Sequence, residues 1–141
     1  MMKSVIEFEV DWADCDAAGI VFYPQFFRMM NRGTHKLFDA AGLPFHEIPA
    51  RFGTVGVPLL DVEASFRSPA RFGDRLELES AVAEWRKRTF IVAHVMRKAE
   101  RIVFEAREVR VWAALDASAP NGLKALPIPE EVKARLSHGG S

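Results

Sequence analysis

The chain has 141 residues, 49% hydrophobic and 27% charged, an ordinary globular balance for one domain over residues 1–141 with a core of its own. Its 19 Lys and Arg offset 19 Asp and Glu, so no net charge draws it to nucleic acid or to an anionic membrane. One cysteine, Cys15, excludes an intrachain disulfide and suits a reducing compartment. Residues 1–10 carry Lys3, Glu7 and Glu9 and lack the apolar core of a signal peptide. No run approaches the ~20 apolar residues of a membrane span, and a cytoplasmic protein is expected.

Ile6, Phe8, Val10 and Trp12 alternate with Glu7, Glu9 and Asp11, a period of two that predicts a strand with one wet face. Small residues and Gly19 then break the pattern, so residues 13–21 form a loop. Pro24 fits a helix first turn, where its missing N–H costs nothing. Over residues 25–41 the period changes: Phe27, Met30, Thr34, Leu37, Phe38 and Ala41 recur at spacings of three and four, one face of a helix. Gly42 caps its end and Pro44 prevents its return. Gly33 lies mid-helix at a cost of about 1 kcal/mol relative to Ala, and close packing of a sheet is a reason for it. Residues 44–51 hold a short second helix.

The rest reads as strands. Leu60, Val62, Ala64 and Phe66 alternate with polar residues, as do Leu76, Leu78, Ser80 and Val82, with a turn at Arg71-Phe72-Gly73-Asp74 between them. Residues 89–98 and 102–115 are two further strands, and a slip of the apolar phase between Phe104 and Val109 predicts a bulge in the last. A helix over 130–136 closes the chain, and the tail 137–141 is polar and frayed. The fold class is α+β: an antiparallel sheet of about five strands wrapped around one long helix. Val5, Ile91, Ala93, Val95 and Val103 sit on the other phase, an outer face for a second subunit to cover.

The segment Asp14-Cys15-Asp16-Ala17-Ala18-Gly19-Ile20-Val21-Phe22-Tyr23-Pro24, directly before the long helix, resembles the hotdog-fold thioesterases of the 4-hydroxybenzoyl-CoA thioesterase family. The likeness continues in Gly53-Thr54-Val55-Gly56-Val57-Pro58-Leu59, in Ala64-Ser65-Phe66 and in Glu84-Trp85-Arg86-Lys87-Arg88-Thr89-Phe90, and spans roughly residues 6–129. It implies a hotdog fold, a homodimer or homotetramer, and hydrolysis of an acyl-CoA to free acid and CoA without a further cofactor. It also implies that Asp16 acts as nucleophile or as base for water.

The motif has a physical logic of its own. Thioester hydrolysis needs an anionic or basic group near the carbonyl carbon and a donor for the oxygen that becomes negative. A helix N-terminus supplies unpaired N–H groups and the positive end of a dipole. Pro24 has no N–H, so the Tyr23 amide is the candidate donor. CoA carries phosphates, and the resemblance places nucleotide contacts near Arg86, Lys87 and Arg88, a predicted hairpin tip, with Thr89 beside them and Lys124 a weaker candidate. A solvated turn is the commoner fate of such a charge run.

Other residues take plainer readings. Asp14 is a turn residue, Cys15 a small residue of the interior, Trp85 structural, and Phe22, Phe26 and Phe27 core aromatics before they are an acyl pocket. His35, His46, His94 and His138 show no metal-ligand spacing, and no metal is expected. His35 is read as packing at a subunit contact. Two departures bear on substrate. Asn31 stands where 4-hydroxybenzoyl-specific members of the family carry an aspartate near the ring hydroxyl, and Val57 replaces a threonine. Both imply another acyl group, aromatic or short-to-medium aliphatic, with Val57 reaching the pocket from a neighbouring subunit. A thioesterase for acyl-carrier-protein substrates and a non-catalytic acyl-CoA binding module are the alternatives.

Overall fold

The computed structural model describes residues 2–138. Its main element is a five-stranded antiparallel sheet ordered β1-β3-β4-β5-β2, with strands β1 (Ser4–Glu9), β2 (Leu59–Phe66), β3 (Arg75–Trp85), β4 (Thr89–Lys98) and β5 (Arg101–Val111). Helix α1 (Tyr23–Ala40) lies across it, and α2 (Ile48–Phe52) and α3 (Glu130–His138) follow. The antiparallel registers run Ser4↔Ser80 for β1 with β3, Ser80↔His94 for β3 with β4, and His94↔Ala106 for β4 with β5.

Most expected elements form, within the usual uncertainty of their ends. The predicted last strand is instead two: Trp112 interrupts it, and β6 (Ala113–Leu115) leaves the main sheet to pair with β7 (Leu123–Ala125), a hairpin not expected from the sequence. Ser137 and His138, read as tail, complete the last turn of α3, where the Ser137 hydroxyl accepts the Trp85 indole N–H at 3.2 Å. The remaining tail residues, 139–141, lie outside the described residues.

Two more expectations change. The bulge in β5 falls at Val103, between the pairs Met96↔Phe104 and Arg97↔Ile102, one residue before the predicted stretch. It turns Val103 into the core, fully buried, instead of onto the outer face. Ile91 also needs no second subunit to cover it, being 6% exposed within this chain, whereas Val5 remains 56% exposed.

The apolar slip between Phe104 and Val109 has another cause. Ala106, Glu108 and Arg110 keep the inward phase, and all three are buried. The core is thereby split in two. One apolar cluster holds Phe26, Met30, Leu76, Leu78, Met96 and Phe104; the other holds Leu37, Phe38, Val82, Phe90, Val92 and Trp112. Between them runs a polar layer, one level deep on each element: Thr34 on α1, Ser80 on β3, His94 on β4, and Glu108 with Arg110 on β5.

Gly33 is where α1 crosses this layer. A Cβ there would stand 2.7 Å from Leu78 Cδ2 and from Ser80 Oγ, so the helix approaches the sheet closely only with glycine at this position. That is the close packing the sequence expects.

Candidate active site

The Asp16 loop is a small hairpin. Asp16 N–H donates to the Ile20 carbonyl at 3.0 Å, Cys15 pairs with Val21, and Phe22 N–H donates to the Asp14 carbonyl at 2.9 Å. Gly19 N–H closes the tip onto the Asp16 carbonyl at 3.0 Å, with Gly19 at φ +75°, a conformation that favours glycine. The second limb is stitched to the chain before β3: Val21 N–H donates to Ala70 O, and Phe72 N–H to Gly19 O. The hairpin therefore sits at the Arg75 end of β3.

At the tip, Asp16 is exposed. Its Oδ1 accepts the Ala18 N–H at 2.9 Å, which fixes the carboxylate while Oδ2 has no partner among the described residues. Asp14 plays the turn role expected of it, its Oδ2 accepting the Asp11 N–H at 2.9 Å. Cys15 is partly exposed. Its thiol pKa is raised, by desolvation first and then by the charges of Asp14, Asp16 and Asp11, which suppresses the thiolate a cysteine nucleophile needs.

Two residues after Cys15's partner Val21 the helix begins, at Tyr23. Its N-cap is Phe22, which supplies no side-chain cap, and its first turn carries no acid. Pro24 has no N–H, and Gln25 N–H turns back to the Phe22 carbonyl at 2.9 Å. The Tyr23 amide is left as an open donor at the positive end of an 18-residue helix. Asp16 and Tyr23 thus belong to one hairpin–helix unit. No hydrogen bond joins them among the described residues. Phe22 and Tyr23 are exposed and meet edge to face, their ring centroids 5.5 Å apart. Phe26 is core, against Phe66 and Phe104.

From this unit a groove of about 470 Å³ runs between β1 and the outward face of α1, lined by Glu9, Asp14, Gln25, Arg28, Asn31 and His35 among others. Its size suits a small ligand. Asn31 lies in it. Val57 does not: its side chain is buried in the core. Even so, Asn31 and Val57 meet through one group, Arg110, whose Nη2 donates to Asn31 Oδ1 at 3.0 Å and whose Nη1 donates to the Val57 carbonyl at 3.1 Å. Sequence reasoning missed Arg110. The signal was a set of polar residues at core-phase positions on four elements, α1, β3, β4 and β5.

Arg110 is itself held by Glu108, with Nη2 to Oε2 at 2.7 Å. Glu108 Oε1 accepts from Thr34 at 2.6 Å and from His94 Nε2 at 2.8 Å, and His94 Nδ1 meets Ser80 Oγ at 2.7 Å. A carboxylate only accepts, so Nε2 of His94 donates to Glu108, and the Ser80 hydroxyl is hydrogen-bonded to Nδ1. Burial pushes the Glu108 carboxyl up, but the hydrogen bond from His94 and the charge and hydrogen bonds of Arg110 outweigh it and hold the pKa at about 2. Ser80, His94 and Glu108 have the residue types of a hydrolase triad. Ser80 is fully buried beneath Gly33, so no substrate reaches its hydroxyl.

His35 stacks on Phe45 of its own chain, ring centroids 4.0 Å apart. Burial, reinforced by the Arg110 charge, lowers its pKa and keeps the ring neutral.

Arg86, Lys87 and Arg88 form the β3–β4 hairpin tip, exposed as expected, with Arg86 N–H on the Thr89 carbonyl at 2.9 Å and its Nε on Glu84 at 2.8 Å. Thr89 opens β4 opposite Val111, and Lys124 lies on β7. The tip is at the far end of β3 from the Asp16 hairpin, on the order of 30 Å away at ~3.3 Å per strand residue. One protomer does not bring the two together.

Over residues 10–136 the chain matches the family described as the thioesterase-like superfamily. The chain belongs to this superfamily. It is 30% identical to the 4-hydroxybenzoyl-CoA thioesterase of Pseudomonas sp. strain CBS-3 over 138 residues, 93% of this chain and 96% of that one. The solved structure of that thioesterase superposes with a TM-score of 0.87, at 29% identity, covering 94% of this chain and 98% of the other. An aspartate-to-asparagine variant of it, complexed with 4-hydroxybenzoyl CoA, gives a TM-score of 0.86 at 28% identity and 95% and 98% coverage. A 1,4-dihydroxy-2-naphthoyl-CoA hydrolase from Microcystis aeruginosa is 25% identical over 89% of this chain and 87% of its own length. The hotdog architecture expected from the sequence is the fold of this chain.

Proposed function

We propose that this protein hydrolyses an acyl-CoA thioester, with Asp16 as nucleophile or as base for water and the Tyr23 amide polarising the thioester carbonyl. One observation carries the reading: a carboxylate whose Oδ2 has no partner among the described residues sits on a hairpin tied directly to a helix N-terminus without a side-chain cap, where the Tyr23 amide has no acceptor among the described residues. Negative charge developing on the thioester oxygen is stabilised by that amide and by the helix dipole. The relatives act on aromatic acyl-CoA substrates by name, which favours an aromatic acyl group here. A relative captured with its CoA thioester after loss of an aspartate carboxylate supports a carboxylate mechanism.

The separation of the Asp16 hairpin from the 86–88 tip favours a reading in which a second copy of the chain supplies the phosphate contacts. An edge strand suited to pairing is available: β2 exposes Leu59 at 47% and Leu60 at 59%. The active unit is thus a homodimer or a pair of dimers. No described helix is long and apolar enough to cross a membrane.

A panel of aromatic and aliphatic acyl-CoA thioesters, scored by free-thiol release beside the matching acyl-carrier-protein thioesters, tests the reading. Turnover of aromatic CoA thioesters is expected. Turnover only on the carrier protein would redirect it, and binding without any turnover would replace it with a non-catalytic module.

A further inference from the structure

We propose that Arg110 is a positioning residue that fixes the Asn31 amide with its oxygen inward, so that the groove presents the Nδ2–H donors and selects acyl groups bearing a hydrogen-bond acceptor at their distal end. This rests on the proposed acyl-CoA hydrolysis and adds to it that the acyl group lies in the groove beside the Asp16 hairpin, which Asp14 and Asn31 both line.

The orientation of Asn31 follows from chemistry. A guanidinium has five N–H donors and no acceptor, so only Oδ1 of Asn31 faces it, at 3.0 Å. Nδ2 is then turned away from the core, on the exposed side of α1 that lines the groove. Arg110 has no freedom to release this hold. It is 5% exposed, its Nε and Nη2 are on Glu108, and its Nη1 is on the Val57 carbonyl. Glu108 is anchored in turn by Thr34 and by His94, which Ser80 holds. The buried polar layer thus ends at a single amide in the groove, and its other end touches nothing that reacts.

An aspartate at this position would give the opposite surface. One oxygen would accept from Arg110 and the other would face the groove as an acceptor, suited to a donor on the substrate. Asparagine converts a donor-seeking site into an acceptor-seeking one while keeping the same anchor.

The test compares kcat/KM for isosteric pairs: 3- and 4-methoxybenzoyl-CoA, which accept, against 3- and 4-ethylbenzoyl-CoA, which do neither, and the corresponding aminobenzoyl-CoA, which donates. The wild type is expected to favour one methoxy substrate over its ethyl partner by about tenfold, the worth of one good hydrogen bond. Asn31→Leu brings that ratio to near one, and Asn31→Asp shifts preference to the amino substrate. Arg110→Lys, which keeps the charge beside Glu108 but loses the fork, lowers the methoxy/ethyl ratio; a merely structural defect would slow both substrates alike. The Asn31 variants change an exposed helix position, so their ratios decide the matter even where Arg110→Lys does not fold. A methoxy/ethyl ratio that is the same in wild type and Asn31→Leu, with Asp16-dependent turnover intact, overturns the inference and leaves the hydrolase reading standing. Absence of turnover on every CoA thioester overturns both.

Discussion

At the scale of single residues, position matters more than type. Asp14 and Asp16 are chemically identical and two residues apart, yet Asp14 is spent on the Asp11 amide while Asp16 keeps an oxygen free. Gly33 shows the same dependence. In an open helix, alanine there would gain about 1 kcal/mol. Here its Cβ would stand 2.7 Å from Leu78 Cδ2 and Ser80 Oγ, and overpacking of a tight core costs about 1–3 kcal/mol. Gly33→Ala is therefore expected to lower stability in urea unfolding; an unchanged or raised midpoint would show that the layer beneath the helix yields easily.

At the scale of elements, the strands, the central helix and the loop before it were legible because each obeys a local rule: alternation, a 3.6-residue period, a break of small residues with a glycine. The polar layer was not. Glu108 and Arg110 occupy core-phase positions, so β5 read as a slipped strand, although its register holds through both. Charge at a core position makes sense only when partners from other elements are known, and on α1 these are Thr34 for Glu108 and Asn31 for Arg110, 74 and 79 positions away in sequence. The layer also sets the response to acid. The Glu108 pKa is about 2 in the fold against an ordinary 4.5, a lowered value. Its contribution is complete above pH 4.5 and is lost as the pH falls from there toward 2, by on the order of 3 kcal/mol. Urea midpoints at pH 7, 4 and 2.5 should fall across that window, and a profile with no loss below pH 4.5 would contradict the burial of a charged pair. The β3–β4 tip is an element with an exposed role: replacing Arg86, Lys87 and Arg88 by alanine is expected to raise KM for an acyl-CoA roughly tenfold with kcat little changed, an effect that shrinks with added salt. An unchanged KM would assign the tip to solvent.

At the scale of the whole molecule, the even balance of charge does not place the site. The hairpin that carries Asp16 and the tip that carries the cations lie at opposite ends of one long strand, so the proposed CoA site needs a second copy of the chain to be complete. Sedimentation should find a dimer or larger species, and a Leu59→Lys, Leu60→Lys double variant should shift it toward monomer with loss of turnover; a fully active monomer would refute the shared site. The central claim is tested most directly by one measurement, the steady-state release of CoA by Asp16→Asn on the best aromatic acyl-CoA. The account predicts a fall in kcat of roughly 10²–10⁴-fold with the fold and CoA affinity retained, whereas turnover within a factor of about two of wild type would show that the carboxylate at the hairpin tip is not the catalytic group.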